Sequence, residues 1–443
     1  MKKISEVIEH YKTLIFEIER FIWAHPETGY KEFVTSKYLA EQFEKLGYKL
    51  TFAEGITGFC TVVDTGRPGP EVLVLGELDS IICPTHKDAD PVTGAVHACG
   101  HNAQCAALVG VAAALREPQI LDKLCGRIRL CAVPAEEFLE IGYRTQLKNQ
   151  GKIKYYGGKC EFLSRGLFDG VDMAMMIHTA RSCRVESGSI GLLAKEIIYK
   201  GEASHAGSAP WSGKNALYAA TCGINAVNAI RETFKDENLV RVHPIITHGG
   251  DMVNAIPEKV KMEAQVRGKT YDAILEANKR VNRALCGGAL SIGTNIEIID
   301  IPGYAPHIND KNMCKIAEEA FKKLFPEREF LVSDYCNTGS TDMGDLSCIM
   351  PIVQPFIDGA KGKPHGNDYE ICNPQSACVD SAKWQVAMLC LLLENNATRA
   401  KKIMQEYKPL FPSKEAFLKF QDSLNTFGDR IIYRDNGIAE VQY

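Results

Sequence analysis

The strongest sequence constraint on the fold is a switch in the order of strand-like and helix-like segments partway along the chain. Before it, helical stretches and apolar runs alternate. Ile4, Val7, Ile8, Tyr11, Leu14, Ile15, Ile18, Phe21 and Ile22 recur at helical spacing. They predict one long amphipathic helix, ended near Pro26, which cannot continue the hydrogen-bond ladder. A second helix is expected at 33–46, strands at 59–63 and 71–75, a small-residue helix at 103–115, a strand at 127–133 and an apolar run at 171–177. This alternation predicts an α/β sheet with helices on both faces. From 189 to 301 the order becomes strand (192–199), helix (215–233), strands (242–247 and 260–266), helix (271–285) and strand (295–299). That β-α-β-β-α-β order is the ferredoxin-like unit. The expected organisation is a first domain made of 1–188 and 304–397, an inserted α+β domain at 189–303, and a charged tail at 398–443 interrupted by Pro409 and Pro412.

Composition narrows the functional classes. The 443 residues are 45% hydrophobic, enough to fill two or three cores. A net charge of −4 argues against a general binder of nucleic acid or of anionic membranes, which needs a basic excess. No run of about 18 apolar residues predicts a membrane span. The first twenty residues mix charged with apolar side chains and lack the apolar core of a signal peptide, so the expected location is the cytoplasm. Sixteen cysteines are spread from Cys60 to Cys390 without a CxxC pair. In a reducing compartment most of them read as small buried apolar residues.

Chemistry-bearing residues gather just after the apolar runs, where strands end and α/β sheets place their ligand sites. His97-Ala98-Cys99-Gly100-His101 can present a thiolate and an imidazole to one metal if the chain turns at Gly100. Pro134-Ala135-Glu136-Glu137 follows the 127–133 strand; its two carboxylates can divide the work, one as ligand and one as general base. His178 follows the 171–177 run, and His365 sits in the Gly/Pro-rich loop Pro364-His365-Gly366-Asn367-Asp368. Each cluster alone has an ordinary reading as a solvated loop, an acidic turn or a structural histidine. Together, Cys99, His101, Glu137, His178 and His365 are five N, O and S donors, more than the three that one catalytic zinc requires. Five suggests two ions sharing one bridging ligand and a water, as in two-metal hydrolases.

These motifs resemble the amidohydrolase branch of the aminoacylase/carboxypeptidase-G metallopeptidases, which includes aminobenzoyl-glutamate, hippurate and indoleacetyl-amino-acid hydrolases. The resemblance runs from HPETG (His25–Gly29) through GELDS (Gly76–Ser80), HACGH (His97–His101), PAEE (Pro134–Glu137), His178, SHAG (Ser204–Gly207), NAIP (Asn254–Pro257) and GSTD (Gly339–Asp342) to His365. It implies that Cys99 is the metal-bridging thiolate and that His101, Glu137, His178 and His365 are the other ligands of two divalent ions (zinc, manganese, cobalt or nickel). It implies that Glu136 is the general base and Asp79 an acid behind the ligands. His205 would stabilise the oxyanion, often from the partner subunit in relatives. Asn254 and Arg267 would hold the substrate carboxylate, with Gly339 and Ser340 in the substrate site. The implied fold is a mixed-sheet catalytic domain with a ferredoxin-like lid that also makes a homodimer.

The implied reaction is hydrolysis of the amide bond of N-acyl or N-aroyl amino acids or small dipeptides. The sequence departs from the branch at Asn102 and Glu77, where many members have Asp, and in the tail. Two other readings stay open. One is a Cys-His nucleophilic amidase in which Cys99 attacks; the other is a non-catalytic metal-binding member of the fold.

Overall fold

The computed structural model describes residues 1–436 and 438–442 as two compact units. The first comprises Met1–Gly188, His307–Asn337 and Thr341–Lys414; the second comprises Ser189–Pro306, Thr338–Ser340 and the chain from Glu415 onward. The first unit begins with α1 (Lys2–His10), α2 (Lys12–Trp23) and α3 (Phe33–Lys45). The expected single N-terminal helix is broken at Tyr11, which leaves the helical region with φ −92° and ψ 6°. The apolar stripe survives the break: Ile4, Val7, Ile8, Ile15, Ile18 and Ile22 are all buried. Next come β1 (Thr51–Phe52), β2 (Phe59–Asp64), β3 (Glu71–Glu77), α4 (His101–Ala114), β4 (Arg127–Val133), α5 (Gly158–Ser164), β5 (Met173–Met175) and β6 (His178–Thr179).

The second unit contains β7 (Gly191–Lys200), α6 (Ala216–Ile230), β8 (Arg241–His248), β9 (Lys259–Gly268), α7 (Tyr271–Ile292) and β10 (Asn295–Pro302). Its antiparallel sheet has the order β8-β9-β7-β10, the ferredoxin-like arrangement. The first unit resumes with α8 (Lys311–Leu324), α9 (Met343–Ser347), β11 (Ile352–Val353), β12 (Phe356–Ile357) and α10 (Ser381–Glu406). The chain ends in α11 (Lys414–Ser423) and the hairpin β13 (Ile431–Tyr433) and β14 (Ala439–Val441).

The six-stranded sheet of the first unit has the order β1-β2-β4-β3-β5-β11, with β4, β3, β5 and β11 parallel. Every residue of β3 is buried, as expected of a parallel strand covered on both faces. Helix α4 (HNAQCAALVGVAAA) is buried on all sides, and its small residues let neighbouring elements approach closely. By length and composition Gln375–Glu406 could cross a membrane, but 89% of its most apolar window is buried inside the protein. Trp384, in its first half, donates its indole N–H to Ala317 O at 2.8 Å and packs edge-on against Phe321.

The expected tail boundary at 398 falls just after a kink in α10, where Glu394–Ala397 leave helical geometry and Asn395, Asn396 and Ala397 take positive φ. Residues up to Lys414 remain with the first unit, where Tyr407 Oη donates to Ser347 O at 2.7 Å. From Glu415 the chain belongs to the second unit, and Thr426 and Asp429 form bridges to Asp300 and Glu297 along the outer side of β10. An edge strand is thereby covered.

Glu19 is a buried carboxyl on α2 that accepts a hydrogen bond from Asn102 Nδ2 at 2.7 Å. Burial pushes it up to about 7, against the pull of Arg20 and Asn102. The folded chain therefore keeps a proton that the unfolded chain releases above about 4.5, and this stabilisation is lost as pH rises from about 4.5 to about 7. Glu19→Gln is expected to raise the urea midpoint at pH 8 by the equivalent of about 1–3 kcal/mol and to change it little at pH 4. An unchanged midpoint at pH 8 would contradict this.

Candidate metal centre

Glu77, the last residue of β3, pairs in parallel register with Val133, the last residue of β4. Leu78-Asp79 and Pro134-Ala135-Glu136-Glu137 therefore leave the sheet at the same edge. Ala135 adopts φ 56°, a left-handed conformation that costs a non-glycine residue on the order of 1–2 kcal/mol. It is held there by Glu32, whose Oε1 accepts the Ala135 N–H at 2.8 Å while Oε2 accepts Thr57 Oγ1 at 2.6 Å. After this turn the two neighbouring carboxylates meet different partners. Glu137 Oε1 lies 2.8 Å from His365 Nε2, and Glu136 Oε2 lies 3.9 Å from His101 Nε2.

Cys99 and His101 are brought to the same edge by Gly100, which caps α4 with φ 86°. A side chain there would also meet Tyr369 Oη at 2.5 Å. His101 Nδ1 is engaged by Asp79 O at 2.9 Å and Asp79 Oδ1 at 3.2 Å, which leaves Nε2 as its ligand atom. Asp79 Oδ2 accepts the Glu137 N–H at 2.8 Å, so one buried carboxylate orients both motifs. His178 directs Nδ1 to Thr179 O at 2.9 Å and Nε2 toward Cys99 Sγ at 3.5 Å. His365 has φ 61°, and its N–H is held by Ala98 O at 2.9 Å.

The ligand atoms of Cys99, His101 and His178 lie within 4.8 Å of one another, as do those of Cys99, Glu137 and His365. Cys99 belongs to both sets. Although burial works against a thiolate, His101 and His178 hold the Cys99 thiol well below its usual range. Against a desolvation cost, the Glu137 carboxylate lifts His365 above the ordinary imidazole range. Burial, followed by repulsion from Glu77, Glu137 and Asp342, pushes Glu136 well above the ordinary carboxyl range, while Lys159 pulls the other way.

The donor set fits divalent cations. Glu77, Asp79, Glu136, Glu137 and Asp342 are all buried in this region; the permanent interior cations beside them are Lys159 and Arg144, and, against the cost of burial, the negative groups draw protons onto His101, His178 and His365. Arg144 donates from Nη1 and Nη2 to the backbone oxygens of Tyr156 and Glu137. Such an excess of buried negative charge calls for cations. Mixed S, N and O donors suit zinc and similar ions.

The remaining sequence candidates lie in the second unit. His205 is exposed; its Nδ1 accepts the N–H groups of Gly207 and Ser208, each at 3.1 Å, so in the neutral ring the proton sits on Nε2. Asn254 O accepts the Ala206 N–H at 2.9 Å, and His205 bridges to Ala255, so Asn254 and His205 sit on adjoining segments. Arg267 Nη1 donates to Ser340 Oγ at 3.1 Å, and its Nε and Nη2 donate to Gln265 Oε1 at 3.1 and 2.6 Å. Gly339 precedes Ser340 in the short Thr338–Ser340 stretch of this unit.

Sequence reasoning noted Glu77 only as a departure and Asp342 only as the end of GSTD, missed Lys159, and gave none of the three a role; they form a buried ion chain against the ligands. The available signals were the Glu that follows the apolar run Val72–Gly76 and a lone Lys at the start of α5. Gly158, just before that Lys, packs on the PAEE turn: a Cβ there would fall 1.7 Å from Pro134 O. Gly158→Ala is expected to lower thermal stability by at least about 1–3 kcal/mol, read by calorimetry; an unchanged melting temperature would show that the turn can move aside.

Comparison with known proteins adds to this geometry. Residues 75–394 match the profile of Peptidase family M20/M25/M40. The Xaa-Arg dipeptidase of Mus musculus is 28% identical over 383 residues, covering 85% of this chain and 84% of its own. The indole-3-acetyl-aspartic acid hydrolase of Enterobacter agglomerans is 27% identical over 353 residues, covering 67% and 76%. Among solved structures, a dinuclear metal-binding peptidase of the M20 family from Bacillus subtilis superposes with TM-score 0.63 at 20% identity, over 87% of this chain and 99% of its own. An aminobenzoyl-glutamate utilization protein from Klebsiella pneumoniae gives TM-score 0.66 at 17% identity, over 88% and 98%. The structural likenesses show a shared fold.

Proposed function

Since the chain belongs to Peptidase family M20/M25/M40 and is a hydrolase acting on amide or peptide bonds, we propose that it cleaves N-acyl or N-aroyl amino acids and small dipeptides with the help of two divalent ions. The observation that carries this reading is the pair of ligand sets sharing Cys99: Cys99, His101 and His178 for one ion, and Cys99, Glu137 and His365 for the other. Bound there, the ions would polarise the scissile carbonyl and make water a better nucleophile near neutral pH.

The chain's own residues supply the rest. Glu136 takes a proton from the attacking water and returns it to the leaving amine; its raised affinity for a proton suits both steps. Asp79 acts behind the ligands by fixing the His101 ring and the Glu137 backbone. His205, protonated at Nε2, is a donor for the oxyanion. Arg267 offers a planar guanidinium to the substrate carboxylate, oriented by Gln265 and Ser340, with Asn254 and Gly339 as further polar contacts. The edge of β8, with Ile245 and Ile246 48% and 41% exposed, supports a homodimer through the second unit. The same reading keeps the expected cytoplasmic location, where the cysteines stay reduced.

A chelator is expected to abolish hydrolysis of a panel of N-acyl amino acids and dipeptides, and Zn²⁺, Mn²⁺ or Co²⁺ to restore it. Glu136→Gln should keep the wild-type metal content while kcat falls by about 10²–10⁴-fold. A normal kcat in that variant would sink the mechanism. Cys99→Ser should fold but bind fewer ions by native mass spectrometry. The contact between Cys99 and His178 also admits a nucleophilic thiol. In that case the chelator would do nothing, and iodoacetamide would inactivate without releasing metal. A chain that binds two ions and hydrolyses nothing in the panel would be a non-catalytic member of the fold.

A further inference from the structure

Glu77, Lys159 and Asp342 have none of the roles assigned above, yet all three side chains are fully buried beside the ligands. Lys159 Nζ donates to Glu77 Oε1 and to Asp342 Oδ1, and Asp342 Oδ2 accepts the Lys159 N–H at 2.9 Å. One lysine between two carboxylates leaves the chain of three with one negative charge in excess, which a cation on the far side of Glu77 would balance: a proton on His101, or a metal ion in its place. The position of the unspent oxygen is clear. Glu77 Oε2 has no hydrogen-bond partner and lies 3.2 Å from His101 Nε2, which has none either. The contact is not aligned as a hydrogen bond, and His101 already engages Asp79 through Nδ1. In the neutral ring, with that nitrogen donating, Nε2 presents a lone pair to a carboxylate oxygen. Two such atoms belong together when they converge on a cation. The donor atoms of Glu77, His101 and Glu136 also lie within 4.8 Å of one another.

We propose that Glu77 is a further metal-site carboxylate, whose Oε2 faces the ion held by His101, either directly or through one water, while Lys159 and Asp342 aim it. The inference rests on the two-metal reading of the same site. It gives the buried ion chain a task beyond packing: Lys159 neutralises one carboxylate and holds Glu77 in place, and the remaining negative charge tightens the hold on the ion.

The test is titration of metal-free protein with Co²⁺ against a competing chromophoric chelator, with circular dichroism to verify the fold. The wild type is expected to bind two ions per chain. Glu77→Gln, which keeps size and hydrogen-bonding capacity, should bind one of them at least about 10-fold more weakly and alter the visible spectrum of bound Co²⁺. Equal affinities and an identical spectrum in the variant would overturn the inference and leave the two-metal reading intact. A wild-type chain that binds no Co²⁺ would overturn both. If Glu77→Gln does not fold, a crystal structure of the Co²⁺-loaded wild type decides. Glu77 Oε2 bonded to an ion, or to a water on an ion, supports the inference; Oε2 with protein partners alone overturns it.

Discussion

Everything at the carboxyl edge of the central sheet depends on one constraint, the burial of several acidic groups where water has little access. Glu77, Asp79, Glu136, Glu137 and Asp342 are buried in this region, and the nearby permanent cations do not balance them. In a medium of low dielectric, repulsion among such groups is strong, and it is relieved by proton uptake or by cations. The upward shift of Glu136 is the first response, and the convergence of Cys99, His101, His178, Glu137 and His365 provides for the second. A site that disfavours its own empty state has affinity for divalent ions built into its folding energetics.

The rest of the first unit keeps these groups from escaping their crowding. Asp79 links the HACGH and PAEE motifs through its two oxygens, so neither motif can shift without the other. Glu32 holds Ala135 in its left-handed turn, and the Ala98 carbonyl holds His365 in a similar one. Backbone strain of this kind persists where the surroundings over-determine it, and it collects at functional sites. The second unit solves a different problem, an open sheet edge. The C-terminal segment lies along β10, and Thr426 Oγ1 joins Asn278 and Asn282 in satisfying Asp300, which is paired with the buried Lys195. The tail is thus an integral piece of that sheet's polar core.

Much of this was legible in the chain. Period-2 and period-3.6 patterns located β4 to the residue and placed α3, α4 and most of the β-α-β-β-α-β block within about three positions, because burial imposes those periods directly; α7 runs on to Ile292, past its expected end at 285. The five donors and Glu136 stood out because they follow strand ends in short, unusual motifs. The ion chain did not, because its partners are remote in sequence: Lys159 is 82 residues from Glu77 and 183 from Asp342. A buried lysine looks in sequence like any solvated one. The break at Tyr11 and the division of the tail between two units were equally hidden, since both depend on what the segments pack against.

The residues themselves determined which chemistry is available: a thiolate, imidazoles and paired carboxylates placed at turns that follow strands, with Gly100 to permit the closest of those turns. Those are local properties, set by side-chain type and backbone freedom. The tertiary structure alone decided how the groups are shared: that Cys99 belongs to two donor sets, that Asp79 restrains both motifs, and that Glu77 faces His101 with one oxygen while Lys159 holds the other. Those are relations between segments far apart in the chain. They arise when parallel pairing of β3 with β4 brings separate strand ends to one edge.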